Sequence, residues 1–272
     1  MNNMQARINH VWRWCGTAFS FLVFGVGGIL LPLIIMPVLY VLPGSAEQRE
    51  QRGQQVIHHA FRFYIGLMKF LGVLSYEVDG LDKLRNARLI LANHPSLIDV
   101  IFLIALVPNA SCVVKGKLTR NPFTRGPVKT AGYIINEESD KVIAAASAAF
   151  AKGRALIIFP EGTRTTPGKP LQLKRGAANV AVRTAVDITP VLISCCPTTL
   201  TKEDRWYQVP ASKVHMRIQV NEAIPIEPYL QDSVPSVAAR QLTADLADYF
   251  DKELRVHEQS APGSKADDYR CA

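Results

Sequence analysis

The sequence predicts an α/β fold: a mixed, largely parallel sheet flanked by helices, with an apolar helical membrane anchor ahead of it. Three features of the chain point to it. From Tyr76 onward, short runs of branched apolar residues alternate with helical patterns, the arrangement that lays helices on the faces of a sheet. Between Trp14 and Ala46 no residue is charged. The whole chain, 272 residues at 48% hydrophobic and 20% charged, is apolar enough to fill a core in one or two domains.

The anchor comes first. As a helix, Phe19 to Leu42 would measure about 36 Å at ~1.5 Å per residue, enough for a hydrocarbon layer of about 30 Å. No neighbouring segment could cover such a run on every side, and no small-residue cleavage site follows it as after a secretory signal. Gly25, Gly27, Gly28, Pro32 and Pro37 all weaken or kink a straight helix, so the run either spans or re-enters the membrane. Arg7 and Arg13 precede it, Arg49 and Arg52 follow it, and its orientation stays open. Next, Phe61–Leu74 is too short to cross. Arg62 and Lys69 share one helical face of it, opposite much of the Phe61, Ile65, Met68 and Leu71 set. That pattern fits a helix in the headgroup layer or one packed on the following domain. Residues 1–75 are therefore expected to form membrane-embedded and interfacial helices.

Residues 76–259 read as the α/β domain. Strands are expected at Arg88–Ala92, Ser111–Val114, Gly132–Ile135, Ala155–Phe159, Ile188–Ser194 and Val214–Val220. Helices are expected at Ser96–Val107, Ser139–Lys152, Gly176–Thr184 and Val234–Leu254, with Ser139 as an N-cap and Gly153 as a stop. Residues 260–272 are polar and read as a disordered tail.

Two segments could carry chemistry. Asn93-His94-Pro95-Ser96-Leu97-Ile98-Asp99 directly follows a strand. Pro95 disfavours helical geometry at His94 and suits a first helical position, which places His94 in the turn and Asp99 in the early helix. Five residues along one continuous helix would set the pair about 140° apart, so the turn is what lets the carboxylate stand behind the imidazole. Such a pair makes a general base, the acid fixing the tautomer and stabilising the imidazolium. Alone the spacing is weak, and a capping histidine beside a solvated aspartate is its plain alternative. The second segment, Pro160-Glu161-Gly162-Thr163-Arg164-Thr165, leaves the carboxyl end of the Ala155–Phe159 strand, where α/β sheets place ligands. Arg164 offers forked donors suited to phosphate, and Gly162 allows close backbone approach.

Together these segments resemble the glycerolipid acyltransferase family. The resemblance rests on NHPSLID at 93–99, the basic stretch at 115–134, FPEGTRT at 159–165, LKRGA at 173–177 and ITPVLI at 188–193, in the family's order. It implies a membrane-bound O-acyltransferase. His94, oriented by Asp99, would draw the proton from an acceptor hydroxyl that attacks the thioester of acyl-CoA or acyl carrier protein. Glu161, Gly162, Thr163 and Arg164 would bind a lyso-lipid acceptor such as 1-acyl-sn-glycerol-3-phosphate, helped by Lys115 and Lys117. The resemblance also implies a bacterial-type inner (cytoplasmic) membrane with the catalytic domain on its cytoplasmic side. No cofactor, metal or acyl-enzyme is expected. One departure stands out: Asn136-Glu137-Glu138 replaces an Asp-Arg pair usual in phosphatidate-forming members. A glutamate about 4 Å from a phosphate would repel it by roughly 1–4 kcal/mol. The same chemistry on a lyso-aminolipid or a lipid-linked polyene is the alternative, and a catalytically silent lipid-binding protein is a further one.

Charge and cysteine content fit this picture. A net charge of +8 suits anionic membrane lipids. Nucleic acid is not expected as a partner, because no reader motif accompanies the charge. Cys15, Cys112, Cys195, Cys196 and Cys271 are too few and too irregular for a disulfide framework, and without a C-x-x-C pair a structural zinc site is not expected. Cys195 and Cys196 read as packing residues on opposite strand faces, His58 and His59 as surface positions, His215 as structural, and His10 and His257 as lying near the chain ends.

Overall fold

The computed structural model of the chain describes residues 3–120, 122–166, 170–231 and 234–259. The tail expected at 260–272 lies outside the described residues. Helix α1 (Asn3–Leu30) runs through a π-helical turn (Leu31–Ile35) into α2 (Met36–Val41) as one rod. At the wide turn Met36 N–H donates to Leu31 O. That longer step falls between Pro32 and Pro37, where missing donors and ring clashes would break an ordinary ladder. The expected kink is thus absorbed as a local widening.

Helix α3 (Ala46–Phe70) starts from a capping box in which Gln48 N–H donates to Ser45 Oγ and the Gln48 side chain accepts from Ser45 N–H. Residues 61–70 of the expected Phe61–Leu74 piece are the last turns of this longer helix, which ends at Phe70; Leu74 already opens a strand. Those turns bury Tyr64, Ile65 and Met68 while leaving Phe63 and Phe70 outside. One face therefore packs on the domain and the other stays exposed. His58, expected at the surface, is instead buried, its Nδ1 2.8 Å from Ile104 O; His59 is exposed.

The sheet contains β1 (Leu74–Asp79), β2 (Leu89–Ala92), β3 (Ala110–Lys115), β4 (Ile134–Asn136), β5 (Ala155–Ile158), β6 (Ile188–Cys196) and β7 (Val214–Val220). Its order is β1-β7-β6-β2-β5-β3-β4. All pairings are parallel except β6–β7, so the carboxyl ends of β6, β2, β5, β3 and β4 open on one edge. Strands β2 and β5 are buried throughout, as the continuous apolar runs LILA and ALII require of central parallel strands. Helix α4 (Asp99–Leu106) packs with α3 on one face. On the other lie α7 (Ser139–Ala151), α8 (Gly176–Thr184) and α9 (Pro235–Gln259).

The expected strand set omits β1, and the boundary drawn after residue 75 falls inside it. Helices α5 (Lys117–Arg120) and α6 (Pro122–Thr130) occupy a stretch without an expected element. Ser139 is the first residue of α7 and Glu138 its N-cap, while Gly153 (φ +68°) stands just past the end, as a stop should.

Candidate active site

At the end of β2 the Asn93 amide imitates a backbone. Its Nδ2 donates to Ile193 O at 2.7 Å and its Oδ1 accepts from Ile193 N–H at 2.8 Å, extending the β2–β6 pairing by one side chain. The chain then turns at His94, where the loop leaving β5 meets it. His94 N–H points to Glu161 Oε1 (3.0 Å) and Thr165 Oγ1 (3.2 Å), and His94 O accepts from Thr165 N–H (2.7 Å). Thr165 Oγ1 donates in turn to Glu161 Oε1 at 2.6 Å. The two segments singled out in the sequence are thus stitched together at one residue.

The His94 ring lies on Phe159 with centroids 4.2 Å apart and planes at 26°. Its Nδ1 is 2.9 Å from Asp99 Oδ2, which also accepts Ser96 N–H at 2.7 Å. That second bond holds residues 96–98 as a turn, which is why α4 begins at Asp99 and not at the expected Ser96. A carboxylate only accepts, so Nδ1 carries the hydrogen and Nε2 keeps its lone pair. The imidazole retains 16% side-chain exposure while Asp99 has none, so the ring can be reached and its partner cannot.

Burial pushes the Asp99 carboxyl above the usual carboxylate range; the His94 ring, the Ser96 N–H and the Arg164 charge pull it back down. Glu161 is likewise raised by burial, against hydrogen bonds from Thr165 and the His94 backbone. Among the described residues, Asp99 Oδ1 is a buried oxygen without a hydrogen-bond partner.

The Glu161-Gly162-Thr163-Arg164 turn closes the other wall. Gly162 sits at φ +65°, and a Cβ there would meet the Lys174 side chain at 3.1 to 3.3 Å. Thr163 is half-buried in the same turn. Arg164 Nη1 donates to Leu200 O (2.8 Å) and Thr201 O (2.7 Å), so the guanidinium clamps the loop after β6. That loop also holds the turn between His94 and Asp99: Ser96 Oγ donates to Thr199 O and Leu97 N–H to Leu200 O. Sequence reasoning missed Lys174 as a site residue, although it lies within the quoted LKRGA block, and missed Leu200 and Thr201, which carry no motif.

Lys115 ends β3 and Lys117 opens α5; both are exposed on the same sheet edge, with β5 between β3 and β2. Two strand spacings set them about 10 Å sideways from the His94 strand. Glu138 follows β4, one strand further, and pairs with Lys141 at 3.0 Å. At about 14 Å its repulsion of a phosphate beside His94 falls to about 0.3 kcal/mol in water, well under the contact value.

Comparison with known proteins gives a consistent answer. A family model described as Acyltransferase matches residues 75–194. The 1-acyl-sn-glycerol-3-phosphate acyltransferase of Helicobacter pylori is 35% identical over 129 residues, 45% of this chain and 54% of that protein. The human 1-acyl-sn-glycerol-3-phosphate acyltransferase beta is 28% identical over 189 residues, 64% of this chain and 65% of its own. The chain thus spans about half to two thirds of the length of these two relatives. In fold, it is similar to the crystal structure of the 1-acyl-sn-glycerophosphate acyltransferase PlsC from Thermotoga maritima. The TM-score is 0.65 at 17% identity, covering 93% of this chain and 100% of that one.

Proposed function

We propose that this chain is a glycerolipid acyltransferase that moves a fatty acyl group from acyl-CoA or acyl carrier protein to the hydroxyl of a lysophospholipid such as 1-acyl-sn-glycerol-3-phosphate. The observation that carries the reading is the His94–Asp99 contact through Nδ1, on an imidazole that stays 16% exposed at the mouth of the sheet. His94 Nε2 takes the acceptor's hydroxyl proton as the oxygen attacks the thioester carbonyl. A C–O bond forms, the C–S bond breaks, and the departing sulfur recovers the proton from the imidazolium. Asp99 stabilises that imidazolium, and proton transfer of this kind is worth about 10²–10⁴-fold in rate. The buried thiols of Cys112 and Cys195 are pushed up to about 12 and are poor nucleophiles at neutral pH, which supports direct transfer over an acyl-enzyme.

Lysophosphatidate remains the favoured acceptor, because Glu138 stands too far along the sheet to repel its phosphate strongly. Lys174, Lys115 and Lys117 lie on the same edge as candidate anion contacts. The mechanism asks for no metal or cofactor beyond the acyl donor, so a chelator should leave the rate unchanged. An assay in detergent with paired donors and acceptors tests the reading. Wild type should acylate, and His94→Ala should lose about 10³-fold or more while keeping its thermal midpoint. Full activity in His94→Ala would remove the imidazole from the mechanism, and a strong preference for a lyso-aminolipid or polyene would change the acceptor. Binding without turnover would favour a silent lipid-binding protein.

The rod is proposed to seat the enzyme on a membrane. Within Met4–Val41 the most apolar 18-residue window has a mean hydropathy of 2.5, and 11% of that window is buried. It lies against α3, whose first turns carry Glu47, Arg49, Glu50 and Arg52; the Arg49 guanidinium stands 5.6 Å over the Tyr40 ring. Hydrocarbon cannot surround α2 with those charges alongside. The rod therefore lies along one leaflet, its free face turned to lipid. Lys115, Lys117, Arg120, Arg125 and Lys129, in a stretch without an acid, attract anionic headgroups. The cytoplasmic side of a bacterial-type inner membrane suits this arrangement, since acyl donors are found there.

A further inference from the structure

We infer that Arg13, on the anchor helix, is a positioning residue for the catalytic turn, acting through the loop 197–213. This rests on the acyl-transfer reading above. Arg13 is 4% exposed although it lies on a helix whose neighbours Trp12 and Trp14 stand outside. Among the described residues its guanidinium has no carboxylate partner. It is spent on carbonyl oxygens: Nη1 donates to Pro210 O at 2.9 Å and Nη2 to Ala211 O at 2.5 Å, while Nε donates to Asn9 Oδ1 at 2.9 Å. Taking a cation out of water carries a desolvation cost, which bonds to carbonyl oxygens offset while they hold those carbonyls in place. Here they hold the far end of a loop whose near end builds the active site.

The near end is the run Thr199-Leu200-Thr201. Thr199 O accepts Ser96 Oγ, Leu200 O accepts Leu97 N–H and Arg164 Nη1, and Thr201 O accepts Arg164 Nη1 again. These carbonyls grip the turn between His94 and Asp99 on one side and the Glu161–Arg164 turn on the other. Leu200 itself sits at φ +52°, a conformation that a branched residue keeps only while its surroundings impose it. Between the two ends the loop is thinly supported. Trp206 leans on Phe21 with centroids 5.5 Å apart. Beneath it a cavity of about 50 Å³, lined by Arg13, Ser20, Tyr64, Ile98 and Trp206, separates the loop from α1 and α3. A forked guanidinium bridges successive carbonyls across such a gap with fixed geometry, and a single ammonium holds them less firmly. Seating the anchor helix and aligning the base are thus joined by one side chain.

The test uses the full chain in mixed micelles, with Arg13→Gln and Arg13→Lys beside Arg154→Gln. The last removes a comparably buried guanidinium that pairs with Glu50, away from the site. Activity per folded enzyme, KM for the acyl donor, the thermal midpoint and the pH dependence of kcat/KM are read for each. Arg13→Gln should lower kcat by about tenfold with little change in KM, because a misaligned base costs turnover more than binding. Its acidic limb should move to higher pH. The groups facing His94 and Asp99 are Glu161, the Cys195 thiol and Arg164, and a loosened Arg164 withdraws the positive one. Arg13→Lys should recover part of both effects, and Arg154→Gln should lower the midpoint without moving the limb. Unchanged kcat and pH limb in a folded Arg13→Gln would overturn the inference. So would a fall in kcat with an unmoved limb. If Arg13→Gln fails to fold, a fully active Arg13→Lys with the wild-type limb overturns it too. An inactive wild type instead overturns the acyl-transfer reading.

Discussion

His94 is held by its backbone as firmly as by its ring: Glu161 and Thr165 fix its N–H, and Thr165 fixes its carbonyl. Asp99 Oδ2 has two donors to serve, His94 Nδ1 and Ser96 N–H. An asparagine in its place could satisfy both with its oxygen only by giving up the negative charge, and in the flipped amide it would face donors with a donor. Asp99→Asn should therefore lower kcat by about 10²–10⁴-fold with a small change in KM, measured in single-turnover assays. An unaffected kcat would mean that the carboxylate does no more than shape the turn. His257, expected merely near a chain end, is 1% exposed, with Nδ1 3.0 Å from Gln219 Oε1. Burial lowers its pKa from 6.5. Below about pH 6.5 the unfolded chain takes up a proton that the folded one refuses, so this residue costs stability as pH falls, at up to about 1.4 kcal/mol per pH unit. Urea midpoints at pH 5.5 and 7.5 should diverge more in wild type than in His257→Gln; equal divergence would show that other groups set the slope. The His94–Asp99 pair was legible because Pro95 forces the turn locally. The Arg164 clamp was not, since its partners lie on a loop that no local rule brings there.

At the scale of elements, legibility followed the strength of the local pattern. Strands β2 and β5 are unbroken apolar runs and declare themselves, and β6 does so through its Val191-Leu192-Ile193 centre. Strand β1, LSYEVD, alternates polar and apolar residues between Gly72 and Gly80 and takes its place only by pairing with β7, far along the chain. Helices α5 and α6 are obscured by Pro122, Gly126 and Pro127. Their glycine has a packing reason: a Cβ on Gly126 would come 2.9 Å from Pro32 Cβ of the π-helical turn. Gly53 of α3 is tighter still, 2.9 Å from Thr130 O and 3.2 Å from its carbonyl carbon, neither of which can swing aside. Gly53→Ala gains about 1 kcal/mol of helix propensity. Displacing a backbone costs roughly 1–3 kcal/mol, so the variant should be the less stable. A drop of a few degrees in the thermal midpoint is expected, and a rise would show that α3 and α6 can part at little cost.

For the whole molecule, the apolar length of the anchor was plain from the sequence, but its attitude was not. That depends on α3 folding back along it with charges that only the tertiary structure places. The face proposed to meet lipid can be probed at Leu22 (61% exposed) and Leu33 (69% exposed). Burying each in a leaflet is worth about 1.5–3 kcal/mol. Leu22→Lys and Leu33→Lys should each weaken sedimentation with anionic vesicles by about tenfold or more without shifting the midpoint in detergent. Unaltered sedimentation would turn a different face toward the bilayer. The contact between Trp12 and the α3–β1 connection has a practical side. Trp12 Nε1 donates to Leu71 O at 2.9 Å, and Gly16 nestles so closely against Val73 that an added Cβ would come within 2.9 Å of its methyl. Anyone trimming the first helix to obtain a detergent-free preparation would be cutting into the wall of the protein, and should expect precipitate in the tube where a smaller soluble enzyme was wanted.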